Sequence, residues 1–228
     1  MKVAVLVPWR AGCDWRERSW AWVRARYEAA GLAVIAGTTD VDGFSRTQAI
    51  LDARARSDAD VFVIADADVF GDIADEPIDS TLAHGWAVPY NVLHRLSPES
   101  TMQVLGGADW HGLPLSTDNE QDRRPYRIHE AGTLLTITAA AFDIAPPDPR
   151  FVGWGQEDAA WATALRTLVG PPWRGDADLV HLWHPAEPRR TRVIGNNSNL
   201  ALLRCYRAAA GNPAQMRQLI AEHATAAV

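Results

Sequence analysis

Short apolar runs alternate with helix-period segments through the first third of the chain. Residues 2–7 form an apolar run that stops at Pro8, the pattern of a buried strand ending in a loop. From Arg16 to Ala30, the residues Trp20, Val23, Tyr27 and Ala30 recur at helical spacing, and Gly31 follows as a C-cap. Residues 32–36 predict a second strand, Gly37 to Gly43 a turn, and Arg46 to Ser57 a second helix with Ala49, Ile50 and Ala53 on one face. Val61 to Ala65 are all apolar and predict a strand buried on both faces, ending on Asp66-Ala67-Asp68. This alternation of strand and helix implies a parallel α/β sheet, whose ligands bind beyond the carboxyl ends of the strands. Pro8-Trp9-Arg10, the turn from Asp40 to Arg46, and Asp66-Ala67-Asp68 all fall at such ends.

The second half is less regular. Residues 85–92 and 132–138 predict strands, and the polar stretch from Ser97 to Arg127 between them predicts a long loop region, of the kind that forms lids and binding loops. Glu157 to Val169 predicts a helix and residues 178–183 a last strand. Helical patterning returns from Asn199, broken at Gly211 to Pro213. A chain of 228 residues suits one domain, 1–228, which the pattern divides into residues 1–96, 97–195 and a helical tail at 196–228.

Composition narrows the classes. Apolar residues make up 47% and charged residues 22%, and no apolar run approaches the roughly 20 residues of a membrane span, so a soluble protein without a span is expected. The N-terminal run leads directly into Trp9 and Arg10, with no cleavage site, and reads as a first strand rather than a leader. Two cysteines make no disulfide scaffold, so a cytoplasmic protein with reduced thiols is expected. A net charge of −6 weighs against a nucleic-acid backbone as the main partner, though a modified DNA acceptor stays open. Lys2 is the only lysine, which excludes a catalytic lysine in the body of the chain. The ten tryptophans suit sugar stacking and core packing equally.

Three clusters carry chemistry. Asp66 and Asp68, one residue apart beyond a buried strand, can offer oxygens to a divalent cation that also grips a diphosphate; a solvated acidic turn fits the same pattern. His181 and His184 in LVHLWHP close a short apolar strand, and imidazole with carboxylate suits Mn²⁺; hydrogen-bonding histidines at a strand end fit as well. In FVGWGQEDAAW, Gly153 and Gly155 allow a close backbone bend and Trp154 offers a stacking face. Glu157 and Asp158 stand there at a helix start, where one can act as general base; an ordinary acidic first turn is the alternative.

Taken in order, VPWR at Val7 to Arg10, GFSRTQAILDA at Gly43 to Ala53, FVIADADV at Phe62 to Val69 and GWGQEDAAWATAL at Gly153 to Leu165 resemble the motifs of GT-A fold glycosyltransferases. The likeness is greatest to the β-1,4-galactosyltransferase and polypeptide N-acetylgalactosaminyltransferase type, and it runs from about residue 3 to residue 190. It implies an α/β, Rossmann-like GT-A fold with a mixed, mostly parallel central sheet flanked by helices. It implies a metal-dependent, inverting transferase that moves a hexose or N-acetylhexosamine from a nucleotide diphosphate sugar, UDP-linked by resemblance, to an acceptor hydroxyl. Mn²⁺ or Mg²⁺ is the implied cofactor, and the acceptor is a glycan, a protein or a small molecule. Pro8, Trp9, Arg10, Phe44, Arg46, Asp66, Ala67 and Trp154 form the implied donor site. Asp66, Asp68, His181 and His184 form the implied metal set, with Asp68 the direct ligand and Asp66 nearer the ribose or a metal-bound water. Asp158 matches the family's inverting base, with Glu157 beside it.

The chain departs from the family at Gln156, in place of a second glycine, and at Ala159, in place of a third acid. The family's second arginine after the first strand is also missing, a role open to Arg16 or Arg18. The single lysine and the lack of an anchor point to a bacterial or bacteriophage relative from a high-GC genome. Two rivals remain. A haloacid-dehalogenase-like phosphohydrolase would use Asp66-Ala67-Asp68-Val69 as its nucleophile motif, although that motif belongs on a first strand. A noncatalytic carbohydrate-binding protein would use the tryptophans but leaves the nucleotide motifs unexplained.

Overall fold

A computed structural model of the chain describes residues 1–41, 43–71, 75–127, 130–153, 155–186 and 189–225. In chain order the elements are β1 (Val3–Pro8), α1 (Asp14–Ala29), β2 (Ala33–Gly37), α2 (Arg46–Ala55), β3 (Val61–Ala65), β4 (Val69–Gly71), α3 (Asp75–His84) and β5 (Trp86–Arg95). They continue with α4 (Pro98–Leu105), a 3-10 turn (Glu120–Arg123), β6 (Leu134–Thr138), α5 (Ala139–Ile144), α6 (Glu157–Leu168), β7 (Trp173–His181), α7 (Arg189–Ala208) and α8 (Pro213–Thr225).

The strands form one sheet in the order β2-β1-β3-β6-β5-β7-β4. β1 runs parallel to β2 and β3, and β5 parallel to β7. β6 is antiparallel to both β3 and β5, and β4 is antiparallel to β7. The sheet is therefore mixed, with as many antiparallel as parallel pairings, which corrects the mostly parallel expectation. The physical reason lies in β5. It runs toward the carboxyl end of β3, and the chain leaves β6 to start opposite Ala65, so β6 must run back the other way. β5 also bridges two halves of the sheet. Its first residues pair with β6, and from Ala87 onward it pairs with β7, with register shifts near Val88 and Tyr90 that curl the sheet.

The first half of the chain folds as its pattern predicts. β3 is wholly buried, and so is β1 after Val3. α2 begins at Ser45, whose Oγ accepts from the Gln48 amide at 3.2 Å. A Cβ at Gly37 would lie 1.8 Å from the Ala49 carbonyl oxygen, so only glycine lets β2 and α2 pack this closely. Beyond β3, three helices appear that periodicity did not predict: α3, α4 and α5. α4 falls inside the expected loop region from Ser97 to Arg127. Ser97 caps it, accepting from Ser100 N at 3.1 Å, and Pro98 occupies its first turn, so the Pro that looked like a breaker is a start signal. β7 begins at Trp173, several residues earlier than expected, and α7 begins at Arg189. The core centres on β1, β3, β6 and β5, covered on one side by Phe142 and Trp161, whose rings meet edge-on at 5.9 Å.

Candidate metal and donor site

The acidic turn is drawn across the sheet. β3 ends in the middle of the sheet and β4 pairs at its far edge, so Asp66-Ala67-Asp68 spans the carboxyl end between them. In the antiparallel β4–β7 ladder Val69 faces His181, and the Leu182 amide donates to the Asp68 carbonyl at 2.8 Å. This register sets Asp68 against the end of β7. His184 follows three residues on, in a segment held by Trp183, whose amide donates to Thr101 Oγ1 at 2.7 Å and whose Nε1 donates to Asp118 at 2.6 Å.

The result is a three-residue cluster. One ligand atom from each of Asp68, His181 and His184 lies within 4.8 Å of the other two. Asp68 Oδ1 stands 3.7 Å from His181 Nε2, and Oδ2 stands 3.1 Å from His184 Nε2. Bonds of roughly 2.0–2.2 Å to a first-row cation place neighbouring ligand atoms about 3–4 Å apart, so the cluster has metal-site dimensions.

The protonation states also fit. His181 Nε2 lies 3.2 Å from Arg95 Nη1, and because a guanidinium only donates, that nitrogen is unprotonated, with a lone pair that a cation would take in place of Arg95. Burial, then the charge of Arg95, push its pKa down to about 3, which keeps the ring neutral as a ligand must be. His184 Nδ1 donates to the Pro185 carbonyl at 2.9 Å, which turns Nε2 toward Asp68. Burial disfavours its charged form, but the hydrogen bond and charge of Asp68 outweigh that and raise its pKa. Burial pushes the Asp68 carboxyl up, and the two histidines more than reverse it, leaving it well below the usual carboxylate range. Asp68, His181 and His184 form a possible metal site.

Asp66 is placed differently. Its amide donates to the Thr133 carbonyl at 2.8 Å, and its Oδ1 accepts from Arg46 Nε at 2.8 Å. Its ligand atoms are not grouped with the other three, and Ala67 is buried between the two acids. Arg46 is the hub of this side of the site. Its charge is sensed by Asp66, Glu157 and Asp158, while its Nη1 and Nη2 are buried and, among the described residues, without hydrogen-bond partners. Guanidinium nitrogens of this kind can donate to anionic oxygens. Burial raises the Asp66 pKa against the pull of Arg46.

The remaining expected donor residues gather at the ends of β1 and β2. Pro8 is buried and closes β1. The Trp9 amide donates to the Gly37 carbonyl at 2.8 Å, and its ring stacks on Trp20 at 5.7 Å. Arg10 lies over the Phe44 ring at 5.3 Å. A cleft of about 200 Å³ lined by Arg10, Gly12, Cys13, Arg16 and Pro185 joins this corner to the histidine segment. Arg10 and Arg16 share this cleft.

Glu157 and Asp158 open α6. The loop before it is held by Ser45 Oγ donating to the Phe151 carbonyl at 2.6 Å and the Gly153 amide donating to the Phe44 carbonyl at 2.9 Å. Asn199 Nδ2 of α7 donates to the carbonyls of Val152 and Gly155, at 3.2 and 2.8 Å. Phe44, Thr133 and Gln156 all have left-handed φ angles, of 54°, 67° and 79°, and all three flank this site. Strain concentrated there marks a geometry that the surroundings enforce. Gln156 holds the backbone conformation that a glycine would adopt freely, so the departure from glycine changes the side chain and not the turn. Glu157 Oε2 is buried without a partner, and burial, then the charge of Asp158, push the carboxyl up to about 7. Trp154 lies outside the described residues.

Arg95, Thr133 and Asn199 escaped the sequence reading. Arg95 also donates to Tyr126 at 2.6 Å, but no local pattern ties it to His181. Asn199 is buried in the interior of α7, and a buried asparagine on a helix was the one available signal.

No family model and no curated sequence matches the chain. Among solved structures, GalNAc-T7 with UDP, GalNAc and Mn²⁺ matches at TM-score 0.50 and 13% identity, over 96% of this chain and 47% of that one. The α/β fold, a curled mixed sheet flanked by helices, is similar to that of this glycosyltransferase. A Drosophila β-1,4-galactosyltransferase 7 in complex with manganese, UDP-Gal and xylobiose matches at TM-score 0.44 and 20% identity, over 76% of this chain and 64% of that one. Glucosyl-3-phosphoglycerate synthase from Mycobacterium tuberculosis, with Mg²⁺ and UDP, matches at TM-score 0.44 and 11% identity, over 90% of this chain and 79% of that one. The chain spans about half the length of GalNAc-T7 and under two thirds of the Drosophila enzyme. Among the described residues, no helix is long and apolar enough to cross a membrane.

Proposed function

We propose that the chain is a metal-dependent glycosyltransferase that moves a hexose or N-acetylhexosamine from UDP to an acceptor hydroxyl with inversion. The observation that carries this reading is the convergence, at one end of the sheet, of the Asp68, His181 and His184 cluster with the unpartnered guanidinium of Arg46 and the carboxylates of α6. The first supplies a cation site, the second a place for anionic oxygens, and the third a base.

Asp68, His181 and His184 would hold Mn²⁺ or Mg²⁺, which when bound supplies positive charge to a departing diphosphate. Arg10 and Arg16, at the small cleft beside Pro185, would bind the diphosphate. Asp66 keeps Arg46 in position. Asp158 takes the proton of the acceptor hydroxyl as that oxygen attacks the anomeric carbon. Glu157 sits with its carboxyl near neutrality beside Asp158, where it donates to a sugar hydroxyl when protonated. On this reading residues 1–96 form the donor half and 97–195 the acceptor half, with the tail adding Asn199, which holds the loop ahead of α6.

A dehalogenase-like phosphohydrolase would need Asp66 free as the nucleophile, and Asp66 is instead bound to Arg46 at 2.8 Å. A purely binding role would draw on tryptophans that are here largely structural. Trp86 and Trp161 are buried, and their ring nitrogens donate to the Gly170 and Ala145 carbonyls.

The test is a panel of nucleotide sugars assayed for Mn²⁺-dependent release of nucleoside diphosphate, since donor hydrolysis needs no known acceptor. Release that depends on the metal and is lost in Asp68→Asn supports the reading. Release of inorganic phosphate from simple phosphate esters, with no turnover of any nucleotide sugar, would sink it.

A further inference from the structure

A second cavity, of about 680 Å³, runs along α6 away from the cluster just described. One wall is the face of α6 that carries Ala159, Ala162, Thr163 and Arg166, at the spacing of a single helical face. The lining also holds Arg127, Arg174 and Arg207, and among the described residues its only carboxylate is Glu130.

The charge of this cavity is out of balance. The chain as a whole carries −6, yet four guanidiniums and one carboxylate meet here, a local excess of three positive charges. Glu130 is committed to Arg166 through two hydrogen bonds, from Nε at 2.6 Å and from Nη2, and it reaches Arg174 only at 3.9 Å. Arg174 Nη1 donates to the Tyr90 carbonyl at 3.1 Å, which fixes its guanidinium in the wall. Burial, then the neighbouring charge of Arg127, lower the Arg174 pKa, the sign of a cation held among cations. Arg127 and Arg207 are exposed and make no hydrogen bond or ion pair among the described residues. Folding gains nothing from gathering like charges in this way, because each pair repels.

We infer that this cavity is a binding site for a phosphate group carried by the acceptor. Three uncompensated guanidiniums exceed what one carboxylate requires and suit a phosphate dianion, which takes several forked donors at once. The volume is that of a small-molecule site, of roughly 300–1,000 Å³. The net negative charge of the chain weighs against a nucleic-acid polyanion. Ala159, the first wall residue, directly follows Asp158, and the wall extends seven residues to Arg166, about 10 Å along the helix. A phosphate held there leaves a hydroxyl of the same small molecule within reach of Asp158. The acceptor assignment rests on the transferase reading above; the anion site does not.

The experiment is calorimetry on the full chain without metal or donor, titrating inorganic phosphate, glycerol 3-phosphate and glycerol. The first two bind and glycerol does not. A double variant, Arg127→Ala with Arg207→Ala, removes two exposed side chains that make no hydrogen bond or ion pair among the described residues, and it weakens both phosphates at least tenfold. Arg127→Lys with Arg207→Lys recovers part of the loss. Unchanged affinity in the alanine variant overturns the site, as does displacement of bound phosphate by UDP with Mn²⁺, which would make the cavity part of the donor site. UDP binding with Mn²⁺ stays the same in both variants; if wild-type protein fails to bind UDP at all, the transferase reading falls while the phosphate site stands. With a working donor, phosphorylated sugars or alcohols are glycosylated with KM raised at least tenfold and kcat retained in the alanine variant. Phosphate that alters donor hydrolysis but is never itself part of a glycosylated product overturns the acceptor assignment.

Discussion

Replacing Glu157 with glutamine measures the cost of holding a carboxylate in the first turn of α6. The carboxyl is pushed from an ordinary 4.5 to about 7, by burial first and then by the charge of Asp158. The folded state therefore keeps its proton to higher pH than the unfolded state does. The sign follows: below about 4.5 both states are protonated and the group is neutral for stability, and as pH rises through 4.5 to 7 the folded state is progressively penalised. At about 1.36 kcal/mol for each tenfold change in proton affinity, the full penalty above pH 7 is about 3 kcal/mol. The side chain is not wholly enclosed, and a charge near a helix N-terminus regains roughly 0.3–1 kcal/mol, so about 1–2 kcal/mol is the expected net cost. Glutamine reproduces the protonated shape with no charge to bury. Glu157→Gln should raise stability by about 1–2 kcal/mol at pH 8.5, and by about a quarter of that at pH 5. Urea unfolding of the metal-free protein at the two pH values reads this directly. A gain that does not grow with pH, or a loss at pH 8.5, would refute the reasoning, since either means that the carboxylate is well solvated or paired.

Other outcomes follow from the same site. Asp68→Asn or His181→Ala should weaken Mn²⁺ binding at least tenfold in calorimetry, with an unchanged far-ultraviolet circular dichroism spectrum showing that the fold is retained. Because the His184 pKa is raised, Mn²⁺ must displace a proton from it as pH falls, so affinity should drop through the acidic side of neutrality, and His184→Ala should flatten that dependence. Asp158→Asn should lower transfer at least a hundredfold while UDP affinity changes less than threefold; retained turnover removes it as the base. Arg46→Met should cost about 3 kcal/mol or more by stranding Asp66, and the added change Asp66→Asn should recover much of it in a double-mutant cycle.

How the site is assembled explains what could be read in advance. The buried strand Val61–Ala65 and its acidic end were legible because five apolar residues bounded by polar ones leave little choice of structure. The start of α2 at Arg46 was legible for a similar reason, from the helical period of Ala49, Ile50 and Ala53. The helix α4 was hidden because Pro98 and the serines around it serve loops and helix starts alike. The resemblance separated Asp68, as the direct ligand, from Asp66, but the partners of the two were hidden: one meets Arg46 from α2 and the other meets histidines from β7, and those partners are 20 and more than 110 residues away.

Local chemistry in the chain was therefore enough to determine the strand–helix order of the first half, the residues at the carboxyl ends of β1 to β3, and which side chains could bear ligand chemistry. Only the tertiary structure decided which of them meet. β4 pairs with β7 at the far edge of the sheet, and that long-range register is what carries Asp68 to His181 and His184 and leaves Asp66 with Arg46. The four-arginine cavity has the same origin, because its residues come from separate elements and their repulsion becomes visible only once the fold has brought them together. Periodicity records what each segment buries; pairing between distant strands is set by the packing of the whole sheet, and no single segment encodes it.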